Sequence, residues 1–171
     1  METLCFSVSM CNMFRIGYSE DIHRLVLGRK LMLGGIHIPF DLGEEAHSDG
    51  DVVLHALSEA ILGALALGDL GKYFPDTSDE TLNMDSKLIL QRVNELMIQE
   101  NYHVGNIDIS IILEQPKLKN NILLMRENIA SILSIDISKV SIKAGTNEGI
   151  DDIGQGKAVK AVAIVLLEEN K

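Results

Sequence analysis

The sequence predicts a single-domain α+β fold, a sandwich in which a mixed β-sheet is covered by helices on one face. With 171 residues the chain is long enough to bury one sizeable core. Apolar residues alternate in some segments, as in strands, and recur at helical spacing in others. These segments follow one another in the order β-β-α-α-β-α-β-β. No internal repeat or low-complexity linker interrupts them. This order predicts one sheet packed against helices.

The first strands are predicted in the N-terminal quarter of the chain. Residues 14–21 have the character of a strand, and residues 30–39 that of a second one. The second strand is broken at Gly34-Gly35, where we expect a hairpin turn or a bulge. Residues 41–50 follow as a polar, glycine-bearing loop.

A central helix is predicted after this loop. Asp49 or Asp51 can cap it, since each offers a side-chain acceptor to the unpaired amides of a first turn. The helix runs to about Leu67 and is apolar nearly all round, so we expect it to be buried. Residues 68–71 end it, and residues 74–77 continue as a loop.

The rest of the chain is predicted to contain two further helices and three strands. Apolar residues recur at helical spacing in two segments and alternate or run continuously in three others. The helices cover residues 86–100 and 118–133, and the strands cover residues 104–113, 140–144 and 158–167. A Gly- and Asp-rich loop over residues 145–156 joins the last two strands.

Composition excludes several classes of protein. Fifteen Lys and Arg against 25 Asp and Glu give a net charge of −10, which argues against a nucleic-acid-binding surface. No apolar run approaches the ~20 residues of a membrane span. Both cysteines, Cys5 and Cys11, lie near the N-terminus and form no framework, which favours a reducing, cytoplasmic compartment. Residues 1–12 lack the marks of a targeting signal, and Met13 directly precedes the first strand. We therefore expect an upstream start codon or a disordered leader before a domain over residues 13–171.

Three side chains suggest a divalent-metal site. On a strand, residues two apart point to the same face, so Asp21 and His23 would present a carboxylate and an imidazole side by side. His55 on the central helix could complete a three-ligand site with an open fourth position, the pattern of a catalytic metal. Each residue also has a simpler interpretation. Asp21 could cap a turn, His23 could lie at the surface of an edge strand, and His55 could be a core histidine bonded to a backbone carbonyl.

The segment His47-Ser48-Asp49-Gly50-Asp51 precedes the predicted N-terminus of the central helix. Amides and the helix dipole favour an anion there, so a substrate phosphate could rest beside His47 and Ser48. Capping of the helix alone would explain the same residues. Both interpretations can hold together.

Colinear blocks give the chain a specific resemblance. They are R-I-G at 15–17, D-I-H at 21–23, L-G-G at 33–35, A-H-S-D-G-D-V at 46–52, L-G-D-L-G-K at 67–72, F-P-D-T at 74–77, D-S at 85–86, G-N-I-D at 105–108, Q-P-K at 115–117 and M-R at 125–126. From residue 14 to about 168 the chain resembles the 2-C-methyl-D-erythritol 2,4-cyclodiphosphate synthase family. The H-S-D-G-D and F-P-D-T blocks are highly specific in combination.

The resemblance implies a homotrimeric lyase of the non-mevalonate isoprenoid pathway, with active sites between subunits. Its substrate is 4-diphosphocytidyl-2-C-methyl-D-erythritol 2-phosphate, whose 2-phosphate attacks the β-phosphorus, closes a cyclic diphosphate and expels CMP. Asp21, His23 and His55 would hold zinc or a similar ion. Glu148 would hold magnesium or manganese on the nucleotide phosphates, although a solvated loop glutamate is the ordinary alternative. Because the nucleophile is already an oxyanion, the absence of a side-chain nucleophile agrees with this chemistry.

The resemblance also implies roles for other matched positions. His47 and Thr146 are matched to catalytic positions. Asp69 would bind the erythritol hydroxyls, or else be a plain turn aspartate, and residues 116–118 would line a cytosine pocket. The full set of implied substrate-binding residues is Ser48, Asp69, Gly71, Phe74, Asp76, Pro116, Lys117, Leu118, Gly145 and Thr146.

Some positions depart from the family's usual pattern. Tyr18 stands where a histidine is frequent, and Gly145 replaces a threonine, which removes one hydroxyl near the nucleotide phosphates. Asp152 and Gln155 stand where some members carry an aromatic residue and an arginine that line a central trimer cavity for an isoprenoid diphosphate. An added acid and a missing arginine disfavour an anion, so we expect weak binding of such a ligand.

Two competing functions stay open at this point. A metal-dependent phosphoesterase could use the same three ligands to activate water, but it needs a general base, and only Asp49, Asp51 or Asp69 is apparent. A non-catalytic trimeric nucleotide-binding or scaffold protein would tolerate loss of the ligands, all of which are present here.

Overall fold

One mixed sheet of five strands organises the molecule. The computed structural model describes residues 13–75 and 82–171. The strand order is β4-β1-β7-β5-β6, and only the β5–β6 pair is parallel. Its strands are β1 (Phe14–Leu27), β4 (Leu42–Glu44), β5 (Tyr102–Ile112), β6 (Val140–Gly145) and β7 (Ala158–Glu169). A separate two-stranded hairpin is formed by β2 (Leu31–Leu33) and β3 (Ile36–Ile38).

Helices cover one face of this sheet, as the sequence predicts. They are α1 (Val52–Ala64), α3 (Ser86–Gln99) and α4 (Ile122–Leu133). Two helices of four residues, α2 (Leu70–Tyr73) and α5 (Asp151–Gly154), lie in the connections. The central helix α1 packs on β1 and β7, while α3 packs against α1, β5 and α4. Alternate residues of β5 and β7 are buried beneath these helices, which explains the period-2 pattern of their sequences.

Close contact between β1 and α1 depends on one glycine. A Cβ atom built on Gly17 would lie 1.8 Å from the carbonyl oxygen of Ala60, so no side chain fits between the strand and the helix. Gly17 therefore allows α1 to approach the sheet closely. The distance between β1 and the α1 side chains that face it depends on this approach.

Several element boundaries differ from those predicted. Strand β1 extends six residues beyond Asp21, because its last three residues pair with β4, which lies in the segment predicted as a polar loop. Helix α1 ends at Ala64 instead of Leu67, since Ala66 and Gly68 adopt positive φ. Helix α4 begins at Ile122, four residues later than predicted.

Two segments predicted as loops contain short helices. Asp69 caps α2 by accepting a bond from the Lys72 amide, so it begins a helix instead of only following one. Helix α5 interrupts the loop predicted over residues 145–156. The predicted leader 1–12 and the site residue Asp76 lie outside the described residues. Within the part of the chain that the structure describes, no helix is long and apolar enough to cross a membrane.

The sheet face opposite the helices is apolar and open in the single chain. Even-numbered residues of β1 point to this face, and Ile16 is 73% exposed there. Other large apolar side chains exposed on it are Phe14, Tyr18, Ile22 and Ile164. The ion pair between Glu20 and Lys160 lies among them on the same face. Exposed apolar side chains grouped in this way are typical of an interaction surface.

Candidate metal centre and adjoining clefts

Strand β1 and helix α1 bring the three predicted ligands together. Asp21 and His23 lie on the helix-facing side of β1, with 3.1 Å between Asp21 Oδ2 and His23 Nε2. His55 comes from α1 and places Nδ1 3.4 Å from the same carboxylate oxygen. The two imidazole rings meet edge to face, with their centroids 5.2 Å apart. The prediction that Asp21 and His23 share a face is confirmed.

The N-terminus of α1 is anchored by Asp51, which settles which aspartate caps the helix. Its buried carboxylate accepts hydrogen bonds from the amides of Val53 and Leu54 and also from those of Gly34 and Gly35 in the β2–β3 turn. One side chain therefore joins the helix that carries His55 to the adjacent hairpin.

These bonds also correct the idea that the α1 N-terminus receives a phosphate. The amides of Val53 and Leu54 are bonded to Asp51, and the Val52 amide is bonded to Glu44. Capping therefore occupies the donors that an anion would need. A phosphate beside this segment would therefore have to be bound by groups of His47 and Ser48, and not by the first amides of α1.

Each histidine of the cluster is held through the ring nitrogen that faces away from Asp21. His23 Nδ1 lies 2.8 Å from Glu44 Oε2 and 2.7 Å from the Gly50 carbonyl oxygen. His55 Nε2 lies 2.9 Å from Ser86 Oγ, which donates in turn to Asp49. The nitrogen left on each ring, Nε2 of His23 and Nδ1 of His55, points into the cluster.

Strong electrostatic coupling accompanies this geometry. Burial alone would raise the pKa of Asp21, but hydrogen bonds to His23 and His55 outweigh it and hold the pKa far below its usual range. Burial lowers the pKa of His23, and hydrogen bonds to Asp21 and Glu44 reverse this and raise it to about 10. Burial raises the pKa of Glu44 to about 8, against the effect of His23. Without a cation, the cluster retains a proton on His23.

The donor set fits a divalent transition metal. Two imidazole nitrogens and one carboxylate oxygen lie within 4.8 Å of one another, the set of ligands that zinc accepts with a fourth position left for substrate. The alternatives for single residues do not hold. Asp21 lies within β1 and not in a turn, the His23 side chain is only 13% exposed, and His55 bonds side chains instead of a backbone carbonyl. The cluster can therefore bind a metal ion.

A cleft of about 450 Å³ opens beside the cluster. It contains several of the predicted substrate-binding residues along with acidic ones that the sequence did not single out. Its lining consists of Asp21, His23, Glu45, Ala46, His47, Ser48, His55, Glu59, Leu70, Gly71, Phe74 and Ile89. We call this the metal cleft. Asp69 is exposed at the start of α2 and is absent from this lining.

Five other predicted residues line a second cleft, of about 460 Å³, at the opposite edge of the sheet: Pro116, Lys117, Leu118, Gly145 and Thr146. We call this the β6 cleft. Thr146 stands at its rim and donates a hydrogen bond of 2.7 Å to the exposed Glu148. The lining is Leu113, Pro116, Lys117, Leu118, Lys119, Ile122, Ala144, Gly145 and Thr146.

The two clefts are separated within one chain. Asp21 is level with Ala144 across the sheet, through its register with Ala161 of β7 and Ile111 of β5. Three strand spacings lie between them, which amounts to roughly 14 Å. The structure thus brings the predicted residues together in two groups, and Glu148 belongs with the group that lies far from the metal cluster.

Sequence reasoning missed several residues around the cluster. Glu44 and Arg29 carried no recognisable motif, and Arg29 donates to the carbonyl oxygens of Glu44, Ala46 and Ser48. Ser86 is the one residue of this surrounding group that a sequence signal pointed to. It lies in the D-S block at 85–86 that matches the family, although the match implied no role for it.

Fold and site together define a class: an α+β sandwich with a two-histidine, one-carboxylate metal-binding cluster beside a polar cleft. Comparison with known proteins then places the chain. The model of the YgbB family matches residues 14–168, and the chain belongs to this family.

Similar proteins agree with this placement. A protein of Chlorobium phaeobacteroides (strain BS1) named 2-C-methyl-D-erythritol 2,4-cyclodiphosphate synthase is 50% identical over 92% of this chain and 99% of its own. The solved structure "IspF (Plasmodium falciparum) CDP complex" is 35% identical, with a TM-score of 0.83 over 94% of this chain and 99% of that one. The bifunctional IspDF of Campylobacter jejuni gives a TM-score of 0.89 at 34% identity over 93% of this chain. There the chain spans 43% of the longer protein.

Proposed function

We propose that this protein is a 2-C-methyl-D-erythritol 2,4-cyclodiphosphate synthase. It converts 4-diphosphocytidyl-2-C-methyl-D-erythritol 2-phosphate to the cyclic diphosphate and CMP, as a phosphorus–oxygen lyase of non-mevalonate isoprenoid biosynthesis. The observation that carries the proposal is the Asp21, His23 and His55 cluster beside the metal cleft, in a chain 50% identical to a protein of that name. We propose residues 13–171 as the synthase domain and the cytoplasm as its location.

The reaction needs positioning and charge neutralisation more than a side-chain nucleophile. An oxygen of the 2-phosphate attacks the β-phosphorus, a new P–O bond closes the ring, and the bond to CMP breaks so that CMP leaves with the electron pair. A divalent ion held by Asp21, His23 and His55, zinc by this donor set, would neutralise charge on the β-phosphate. The metal cleft then holds the folded substrate so that nucleophile and phosphorus meet.

Individual roles follow from where each side chain lies. His47 and Ser48 would contact phosphate from the loop before α1, and Gly71 and Phe74 would line the erythritol part of the metal cleft. Asp69, exposed next to this lining, would bind erythritol hydroxyls. Asp76 is proposed for the same part of the substrate on the basis of resemblance alone.

The nucleotide part of the substrate would occupy the β6 cleft. Pro116, Lys117 and Leu118 would read the cytosine, with Gly145 beside the phosphates. Thr146 is proposed as a catalytic residue that contacts them. The exposed carboxylate of Glu148 would hold magnesium or manganese there, because such ions prefer oxygen ligands.

A homotrimer would reconcile the two separated clefts. We propose that one substrate contacts both groups where the metal cleft of one subunit meets the β6 cleft of another, and the exposed apolar side chains of the sheet offer a surface for assembly. Light scattering should give the mass of three chains. Ile16→Asp on the open face should lower it, while Ile98→Asp, a matched change on exposed α3, should not. A trimeric Ile16→Asp protein would contradict the assembly proposed here.

We also propose that the trimer binds isoprenoid diphosphates weakly. Asp152 is exposed and forms an ion pair with Lys157 at 3.3 Å. The loop therefore presents a carboxylate, and the ammonium group of Lys157 is already engaged with it. Calorimetric titration with farnesyl diphosphate should give little heat. Tight binding would contradict this expectation.

Phosphorus NMR of the reaction tests the main proposal. Wild-type protein with zinc and magnesium should give a cyclic diphosphate and CMP, and His55→Ala should lose bound zinc and turnover together. His37→Ala, an exposed histidine on β3, should match the wild type. A linear hydrolysed monophosphate would favour a phosphoesterase, and binding of CDP without any turnover would favour a scaffold protein.

A further inference from the structure

Glu44 is an unusual residue to find beside the cluster. Its side chain is completely buried at the end of β4. Oε2 accepts the amide of Val52 at 3.1 Å and lies 2.8 Å from His23 Nδ1. Oε1, buried as well, has no hydrogen-bond partner among the residues that the structure describes.

The bond to the Val52 amide gives Glu44 one role in the fold, but it does not explain a buried carboxylate whose second oxygen has no partner among the described residues. Removing a carboxylate from water is unfavourable, and a buried oxygen without a partner adds to the penalty. A buried apolar side chain of similar volume is commonly as good for stability or better. Glu44 therefore does something that packing against β1 does not require.

The surroundings of His23 indicate what that is. Nδ1 has two acceptors within 2.8 Å, the Glu44 carboxylate and the Gly50 carbonyl. Because both partners accept, Nδ1 must carry a hydrogen, and in a neutral ring the lone pair is then on Nε2. Nε2 is the atom that lies 3.1 Å from Asp21 Oδ2, inside the cluster.

We propose that Glu44 is a positioning residue for the metal centre. It holds His23 in the tautomer and ring orientation that direct Nε2 to the metal, and when ionised it also increases the basicity of that nitrogen. The inference rests on the proposed metal-binding role of the cluster, but not on the reaction that the metal serves.

The effect should be specific to His23. His55 is held through Ser48 and Ser86, on the other side of the cluster, and no hydrogen bond joins either of them to Glu44 among the described residues. Loss of Glu44 should therefore weaken one ligand of three and leave the other two in place.

Metal affinity of the full chain provides the test. Zinc affinity would be measured by competition with a chromogenic chelator at fixed pH, together with the absorption spectrum of the cobalt-loaded protein and the melting temperature of the metal-free protein. Glu44→Leu should bind zinc about 10–100-fold more weakly than wild type and show altered cobalt bands. Its metal-free melting temperature should fall only modestly, because the Val52 amide loses its acceptor while His23 keeps Asp21 and Gly50 as partners.

Glu44→Gln separates positioning from packing. Its amide oxygen can accept the Nδ1 hydrogen of His23 without a charge, so zinc affinity should fall between those of Glu44→Leu and wild type. This variant also carries the test if the leucine variant does not fold. Glu95→Gln, which removes an exposed carboxylate paired with Arg92, is the matched control and should bind zinc as wild type does.

Three results would overturn the inference. They are unchanged zinc affinity in both Glu44 variants, a lower melting temperature with unchanged affinity of the folded protein, or no zinc binding by wild type. Absence of turnover in a wild-type protein that still shows the expected order of zinc affinities would contradict the proposed reaction and support the role of Glu44.

Discussion

Asp51 offers the sharpest test of how the site is built, because one side chain serves two separate elements. Oδ1 accepts the amides of Gly34, Val53 and Leu54, and Oδ2 accepts that of Gly35. Replacement by alanine removes all four bonds at a position with no solvent exposure. The helix cap and the hairpin turn would lose their shared acceptor together.

The expected loss of stability follows from these bonds. The two α1 amides represent an ordinary helix cap, worth about 1 kcal/mol. The hairpin amides of Gly34 and Gly35 would be left without acceptors in a largely buried site, at about 1–3 kcal/mol for each unsatisfied donor. Asp51→Ala should therefore lower the free energy of unfolding by roughly 4 kcal/mol. Asp51→Asn keeps the Oδ1 acceptor and loses the Gly35 bond, so it should lower this free energy by about 1–3 kcal/mol.

Chemical denaturation of the metal-free protein measures both variants without a contribution from metal binding, and one fixed chain concentration keeps the contribution of assembly comparable between them. Asp85→Ala is the matched control, because Asp85 caps α3 through the Lys87 amide alone and its side chain is 46% exposed. It should lower the free energy of unfolding by about 1 kcal/mol. If Asp51→Ala proves no more damaging than Asp85→Ala, the link between α1 and the hairpin does not carry the stability assigned to it.

Three further predictions concern the same site. Gly17→Ala should destabilise the protein by more than about 1 kcal/mol and lower zinc affinity, because its Cβ would displace the Ala60 carbonyl and move α1; normal zinc binding would refute this. Burial lowers the pKa of His23 but its carboxylate partners raise it to about 10, so zinc must displace a proton. Apparent zinc affinity should then rise between pH 6 and 9, by up to about tenfold per pH unit, with proton release in calorimetry; a flat profile would contradict it. Arg29 donates to three carbonyl oxygens of the loop that contains Ser48, so Arg29→Met should free this loop and raise KM while the metal content stays unchanged. A wild-type KM would exclude this role.

Local pattern predicted the parts of the site that local geometry controls. The placement of Asp21 beside His23 follows from the two-residue period of a strand, which holds wherever the strand lies. The capping of α1 by an aspartate of the D-G-D segment is likewise a short-range effect, although only the structure showed that Asp51 is the cap.

Contacts between distant segments were beyond such reasoning. Strand β4 was missed because three residues with a central glycine carry no alternation, and their strand conformation depends on pairing with the end of β1. Glu44 is 21 residues from His23 in sequence, and nothing in its neighbours marks it as buried. The occupied amides at the α1 N-terminus likewise became visible only with β4 in place.

Sequence patterns were enough to predict the α+β class, the segments that form the long helices and strands, and the residue types at the metal cluster. Periodicity and residue chemistry are properties of short stretches of chain, so they can be recognised without the fold. Tertiary packing was needed to show that His55 reaches Asp21, that Glu44 contacts His23, and that the predicted residues divide between two clefts, three strand spacings or roughly 14 Å from β1 to β6. Those distances depend on how α1 packs over Gly17 and on which strands become neighbours in the sheet, and such packing is set by the whole core.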